Sequence, residues 1–89
     1  MAPMTPTPEL DKAIQDATAK GDKKRLAAAY AGRGFSRMYD DKAGQRVRYR
    51  MALKDFRVAL QNDPNNDKAK TNKKKIEDIY ASMGRPVPE

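Results

Sequence analysis

The stretch Tyr49-Arg50-Met51-Ala52-Leu53-Lys54-Asp55-Phe56-Arg57-Val58-Ala59-Leu60-Gln61-Asn62-Asp63-Pro64 decides how this chain folds. Tyr49, Ala52, Leu53, Phe56, Ala59 and Leu60 recur at i, i+3, i+4, i+7, i+10 and i+11, which is one apolar stripe on an α-helix. Asn62-Asp63-Pro64-Asn65-Asn66 ends that helix, because Pro64 pushes Asp63 out of helical geometry. The spacing predicts a helix over 47–62.

Working outward, the same period predicts three more helices. Leu10, Ala13, Ile14 and Ala17 make a stripe over 9–20, and Gly21-Asp22 closes it, with Asp22 an N-cap for a helix over 23–39. A fourth helix, over 67–83, carries Ala69, Ile76, Ile79, Tyr80 and Met83 on one side, although its first half is mostly Lys, Asn and Thr. Pro3, Pro6 and Pro8 mark 1–8 as a disordered leader, and Gly84 and Pro86 mark 84–89 as a flexible tail. No segment alternates with period two. The reading is all-α, a single domain over 9–83 built of about four helices in antiparallel hairpins.

Composition narrows the chemistry. The 89 residues leave room for one small core, burying roughly 60–65% of the unfolded surface. With no Cys, there is no disulfide framework, zinc-thiolate site or thiol nucleophile; with no His, the commonest metal ligand and acid–base catalyst is missing. The carboxylate pairs Asp40-Asp41 and Glu77-Asp78 are sequence neighbours, which on a helix point about 100° apart and serve poorly as a catalytic pair. There is no P-loop, dinucleotide fingerprint or metal-ligand spacing. The expectation is no catalytic residue, no metal, no cofactor and no enzyme. Apolar runs are too short for a membrane span, and nothing reads as a signal peptide, so a cytoplasmic chain and one exported after loss of a leader are both allowed. The net charge of +7 favours anionic partners, with one basic cluster at Lys42, Arg46, Arg48, Arg50, Lys54 and Arg57 and another at Lys68, Lys70, Lys73, Lys74 and Lys75. Neither cluster carries an aromatic single-strand-binding signature or a helix-turn-helix pattern, so nucleic acid ranks behind protein as a partner.

The pattern Ala52, three residues, Phe56, two residues, Ala59, four residues, Pro64 resembles the second half of a tetratricopeptide repeat. Tyr30, three residues, Gly34 resembles the large-then-small pair of the repeat's first helix. The resemblance covers one complete repeat, 26–66, with a trailing helix before it and a capping helix after it. It implies that Tyr30, Gly34, Ala52, Phe56 and Ala59 pack in one hairpin ended by Pro64. The sequence departs from the repeat at Arg33, where Leu is common, and at Arg37, where an aromatic is common. About six extra residues also separate Gly34 from Ala52, within 40–48. That connection is expected to be exposed, or helical at its edges, with no core residue.

Rotation about the second helix places Ala28, Ala31, Phe35, Met38 and Tyr39 on a stripe turned away from Tyr30 and Gly34. In the resembled family that stripe lines a concave groove for extended peptides or helices. The groove candidates are therefore Ala31, Phe35, Met38 and Tyr39, with Lys68, Asn72 and Lys75 of the fourth helix nearby to favour an acidic segment. A competing reading has the first helix fold over the stripe and bury it. Ala31 and Phe35 also occupy two positions where the carboxylate-clamp version of the family has polar residues, so this repeat lacks that clamp. The leading functional expectation is a protein-interaction module. The alternative is a self-assembling unit, a homodimer or domain swap through Val47, Met51 and Val58, which share the side of the third helix opposite Phe56.

Overall fold

The computed structural model describes residues 4–89, and the chain forms α1 (Pro8–Lys20), α2 (Lys23–Met38), α3 (Gln45–Asn62) and α4 (Asp67–Ser82) with no strand among them. Successive helices pack as antiparallel hairpins: α1 on α2, α2 on α3 and α3 on α4, with α4 also reaching α2. α1 touches α2 alone. None of the helices is long and apolar enough to cross a membrane.

The ends of the helices follow from their caps. Pro8, read as leader, is the first residue of α1, where its missing N–H costs nothing. Gly21 closes α1 at φ 66°, and the Asp22 carboxylate caps α2 by accepting the Arg25 N–H at 3.1 Å. Asn66 caps α4 in the same way, accepting from the Ala69 N–H at 2.9 Å. α3 begins at Gln45, two residues before the expected 47, because Gly44 is extended and the helical turn starts directly after it. Residues 1–3 of the expected leader lie outside the described residues. In the rest of it, Thr5 donates its N–H and its hydroxyl to the Asp40 carboxylate at the far end of α2.

The core mixes alanines from three helices with a few large side chains, the largest fully buried ones on α3 and α4. Ala27, Ala31 and Met38 meet Ala52, Leu53, Phe56 and Ala59 of α3 and Ala69, Ile76 and Tyr80 of α4, with Tyr30 packed against the cluster. Gly34 brings the backbone of α2 against Phe56 of α3. A Cβ built there would stand 2.7 Å from Phe56 Cε1 and 3.1 Å from Asp55 Cβ, so the Phe56 ring lies where a side chain at Gly34 would be. One expectation needs correcting. The connection over 40–48 does supply a buried residue, Ala43, whose methyl is small enough to tuck in while Asp41 and Lys42 stay in water. Nor is 84–89 detached from the fold: Val87 packs against the core and Arg57 of α3 donates to the Pro88 carbonyl.

A charged network ties the first three helices together. Asp55, with a side chain only 4% exposed, accepts from Arg33 Nε and Nη2 at 3.0 Å each and from Arg37 Nη1 at 3.1 Å. Arg33 also donates to Asp11 of α1 at 3.0 Å, spanning from α1 to α3, which do not otherwise touch. The Asp55 hydrogen bonds hold the Arg33 guanidinium in its charged form well beyond its ordinary range, and the Arg33 hydrogen bond lowers the Asp11 carboxyl from its ordinary 3.8. Arg33 and Arg37 are the two departures from the repeat pattern. Both point their charge at one buried carboxylate.

Three outcomes follow from this packing. Gly34→Ala should lose about 1–3 kcal/mol by overpacking against Phe56, and Phe56→Leu in the same chain should recover part of it; denaturant melts of the single and double variants read the coupling. Asp55→Ala should lose about 2–4 kcal/mol, because two half-buried guanidiniums lose their acceptor. Asp11 acts in the same direction with pH. Its folded pKa is depressed, so its contribution is present above about pH 4 and fades as pH falls through the folded value. Acid melts of Asp11→Asn should therefore show a shallower loss of stability below that pH than wild type.

Candidate functional site

The exposed side of α2 is set by what covers its other sides. Counting 100° per residue, Ala27, Ala31, Gly34 and Met38 turn to α3 and α4, while Ala29, Gly32 and Arg33 turn to α1. Leu10 of α1 lies 3.2 Å from where a Gly32 Cβ would be, and Ala13 and Ala17 lie across from Ala28 and Ala29. Between these two covered sides runs an open strip with Phe35 and Tyr39, which are 41% and 58% exposed.

Those two rings pack on each other. Their centroids are 5.1 Å apart with an interplanar angle of 62°, an edge-to-face arrangement of the kind π-quadrupoles favour. Lys68, at the start of α4, places its ammonium 5.2 Å from the Phe35 centroid. The helix neighbours i and i+4 thus form an aromatic platform with a cation on one edge. The Asn66 cap fixes the first turn of α4 and with it the position of Lys68.

The seven residues expected to line a groove divide into two groups. Phe35, Tyr39, Lys68 and Lys75 are exposed. Ala31 and Met38 are buried in the core and Asn72 is buried between Lys68 and Ile76 on the inner side of α4, so these three offer no open surface. The cause is the packing of α3 and α4 together on α2, which closes over the part of the stripe that holds Ala31 and Met38. The competing reading named the wrong helix: α1 packs on the other side and leaves Phe35 open. Asn72 keeps one link to the surface. Its Nδ2 donates to the Lys68 carbonyl at 2.8 Å, while its buried Oδ1 has no partner.

On α3, Val47, Met51 and Val58 are half-buried and stand outside the core cluster, on the side turned from Phe56. α2 and α3 form a closed hairpin through residues 39–44 and do not merge into one rod.

Two features escaped the sequence reading. The Asp55 network had a signal: Asp55 is the one acidic residue in α3 and sits directly before the most buried aromatic, and Arg33 and Arg37 are one turn apart on the facing helix. The second is a cleft of about 450 Å³ between the start of α3, the end of α4 and the segment after it. Its walls depend on the path of 85–89, which no periodic pattern encodes. Comparison with protein-family models, with curated proteins and with solved structures gave no match to this chain.

The division of the stripe is measurable. Met38→Ala should cost about 2–4 kcal/mol as a core truncation, whereas Phe35→Ala should cost clearly less, about 1 kcal/mol or under, since Phe35 is already 41% exposed. Thermal or denaturant melts of the two variants side by side make the comparison.

Proposed function

We propose that this protein is a non-catalytic interaction module of the tetratricopeptide type that docks a peptide or helix of another protein. The observation that carries the reading is the Phe35–Tyr39 aromatic pair, exposed on a helix whose other sides are covered and flanked by the Lys68 ammonium. Aromatic side chains contribute most to binding when a partner dehydrates them. Phe35 on the last turn of α2 and Tyr39 at its C-cap are carried by a packed helix, so little backbone order is lost on binding. Lys68 and Lys75 favour an acidic or carboxylate-bearing segment, acting chiefly on encounter and orientation. The repeat-like spacing of Ala52, Phe56, Ala59 and Pro64 supports the same reading.

A second reading, self-association, draws on the half-buried Val47, Met51 and Val58, an apolar line on the outer side of α3. Light scattering across a concentration series separates the two: the interaction module stays at one mass, whereas self-association raises the mass with concentration.

The test of the leading reading is affinity capture followed by titration. A partner retained by wild type should be lost by Phe35→Ala, and Phe35→Ala should weaken its binding by about 1–2 kcal/mol more than Lys75→Ala does, roughly five- to thirtyfold in Kd. Equal retention by both variants, with both melting like wild type, overturns the assignment of this surface.

A further inference from the structure

The cleft behind α3 lies away from the Phe35 strip and has its own chemistry. Gly84, at φ 66°, turns the chain out of α4, and the Arg85 N–H closes the turn on the Tyr80 carbonyl at 3.0 Å. Pro86, Val87 and Pro88 then run back along α3, with Val87 against the core and the Pro88 carbonyl accepting from Arg57. The space left above Val87 is floored by Tyr49 and Tyr80 and rimmed by Arg46, Arg50 and Arg85.

The charge in this space is one-sided. No carboxylate lines the cleft, and among the described residues Arg46, Arg50 and Arg85 make no ion pair. Arg46, Arg50 and Arg57 stand at i, i+4 and i+11 of α3, within about 40° of one another, so they form one row of guanidiniums. One member of that row, Arg57, already holds a main-chain carbonyl of an extended, proline-bounded segment. Pro86 and Pro88 have no N–H to donate, so hydrogen bonding to a ligand falls largely to the guanidiniums, which pair with carboxylates in two-pronged geometry.

We propose that this cleft is a binding site for a short acidic peptide segment, with Arg46, Arg50 and Arg85 taking its carboxylates and Tyr49 and Tyr80 its apolar surface. The volume lies within the range of ligand-sized clefts. A peptide is favoured over nucleic acid because the arginine row on α3 is not continued by free cations on the neighbouring end of α4. The lysines of α4 sit at its other end, and Lys73 and Lys74 are occupied by Glu77 and Asp78 at 2.9 and 3.1 Å. The proposal rests on the interaction-module reading but places an acidic segment at a second surface, independent of Phe35.

The test is fluorescence anisotropy with a labelled oligoglutamate peptide at low and at physiological salt. Wild type and Phe35→Ala should bind it alike, whereas Arg46→Gln/Arg50→Gln should weaken binding about tenfold while melting like wild type. Lys23→Gln/Lys24→Gln removes the same net charge from the exposed start of α2 and should leave the affinity within about twofold. Equal weakening by the two double variants would mean that bulk charge alone is read, and would overturn the site. So would a labelled oligonucleotide of equal charge binding more tightly than the peptide, or no saturable peptide binding at all. Because Phe35→Ala is the control here and the probe is defined, this proposal can fail while the Phe35 surface stands, and the reverse.

Discussion

The carboxylate of Asp55 is the point on which the arrangement of the first three helices depends. A buried anion must be matched, and here two arginines on one turn of α2 match it at 3.0 and 3.1 Å. That pairing fixes the rotation of α2 about its axis relative to α3, since only one rotation puts Arg33 and Arg37 on Asp55 and Gly34 under the Phe56 ring. Arg33 then turns its third nitrogen, Nη1, to Asp11 and so ties α1 to α2. Apolar packing of Ala13, Ala17 and Leu10 against small residues of α2 is tolerant of sliding, as contacts among small side chains are. The ionic link is directional and removes that freedom.

Once α2 is fixed in rotation, its open side is fixed too. α3 and α4 take the sector holding Ala31, Gly34 and Met38, and α1 takes the sector holding Ala29 and Gly32. Phe35 and Tyr39 are what remains. Their exposure is thus a consequence of where the neighbouring helices go, and Lys68 comes to lie over Phe35 because Asn66 starts α4 at that point. The small core of alanines permits this close approach.

The two ends of the described chain are used differently from simple tethers. Thr5 clasps Asp40 across the turn after α2, and this hydrogen bond to the Thr5 N–H is the main cause that lowers the Asp40 carboxyl. At the other end, Pro86-Val87-Pro88 lies along α3 and makes one wall of a cleft whose rim arginines make no ion pair among the described residues. Both proline-bearing segments have few N–H groups to satisfy, so they can lie on a helical surface without pairing into a sheet.

The sequence by itself determined the helices. Period and caps place all four to within two residues, since Asp22, Asn66, Gly21 and Pro64 act through local geometry that needs no partner. The Tyr30, Gly34, Ala52, Phe56 and Ala59 constellation was legible through the resemblance to the repeat, and Gly34 does lie against the Phe56 ring. Only the tertiary structure decided which members of the α2 stripe face water. Ala31 and Met38 share a helical side with Phe35 to within the width of one neighbouring helix, and periodicity cannot say whether α1 or α4 lies there. The Asp55 network left only a partial signal, the lone acid of α3 and two arginines one turn apart on α2, and the pairing itself is decided when the helices pack. The path of 85–89 was invisible because it depends on one left-handed glycine and one arginine contact, neither of which leaves a period in the sequence.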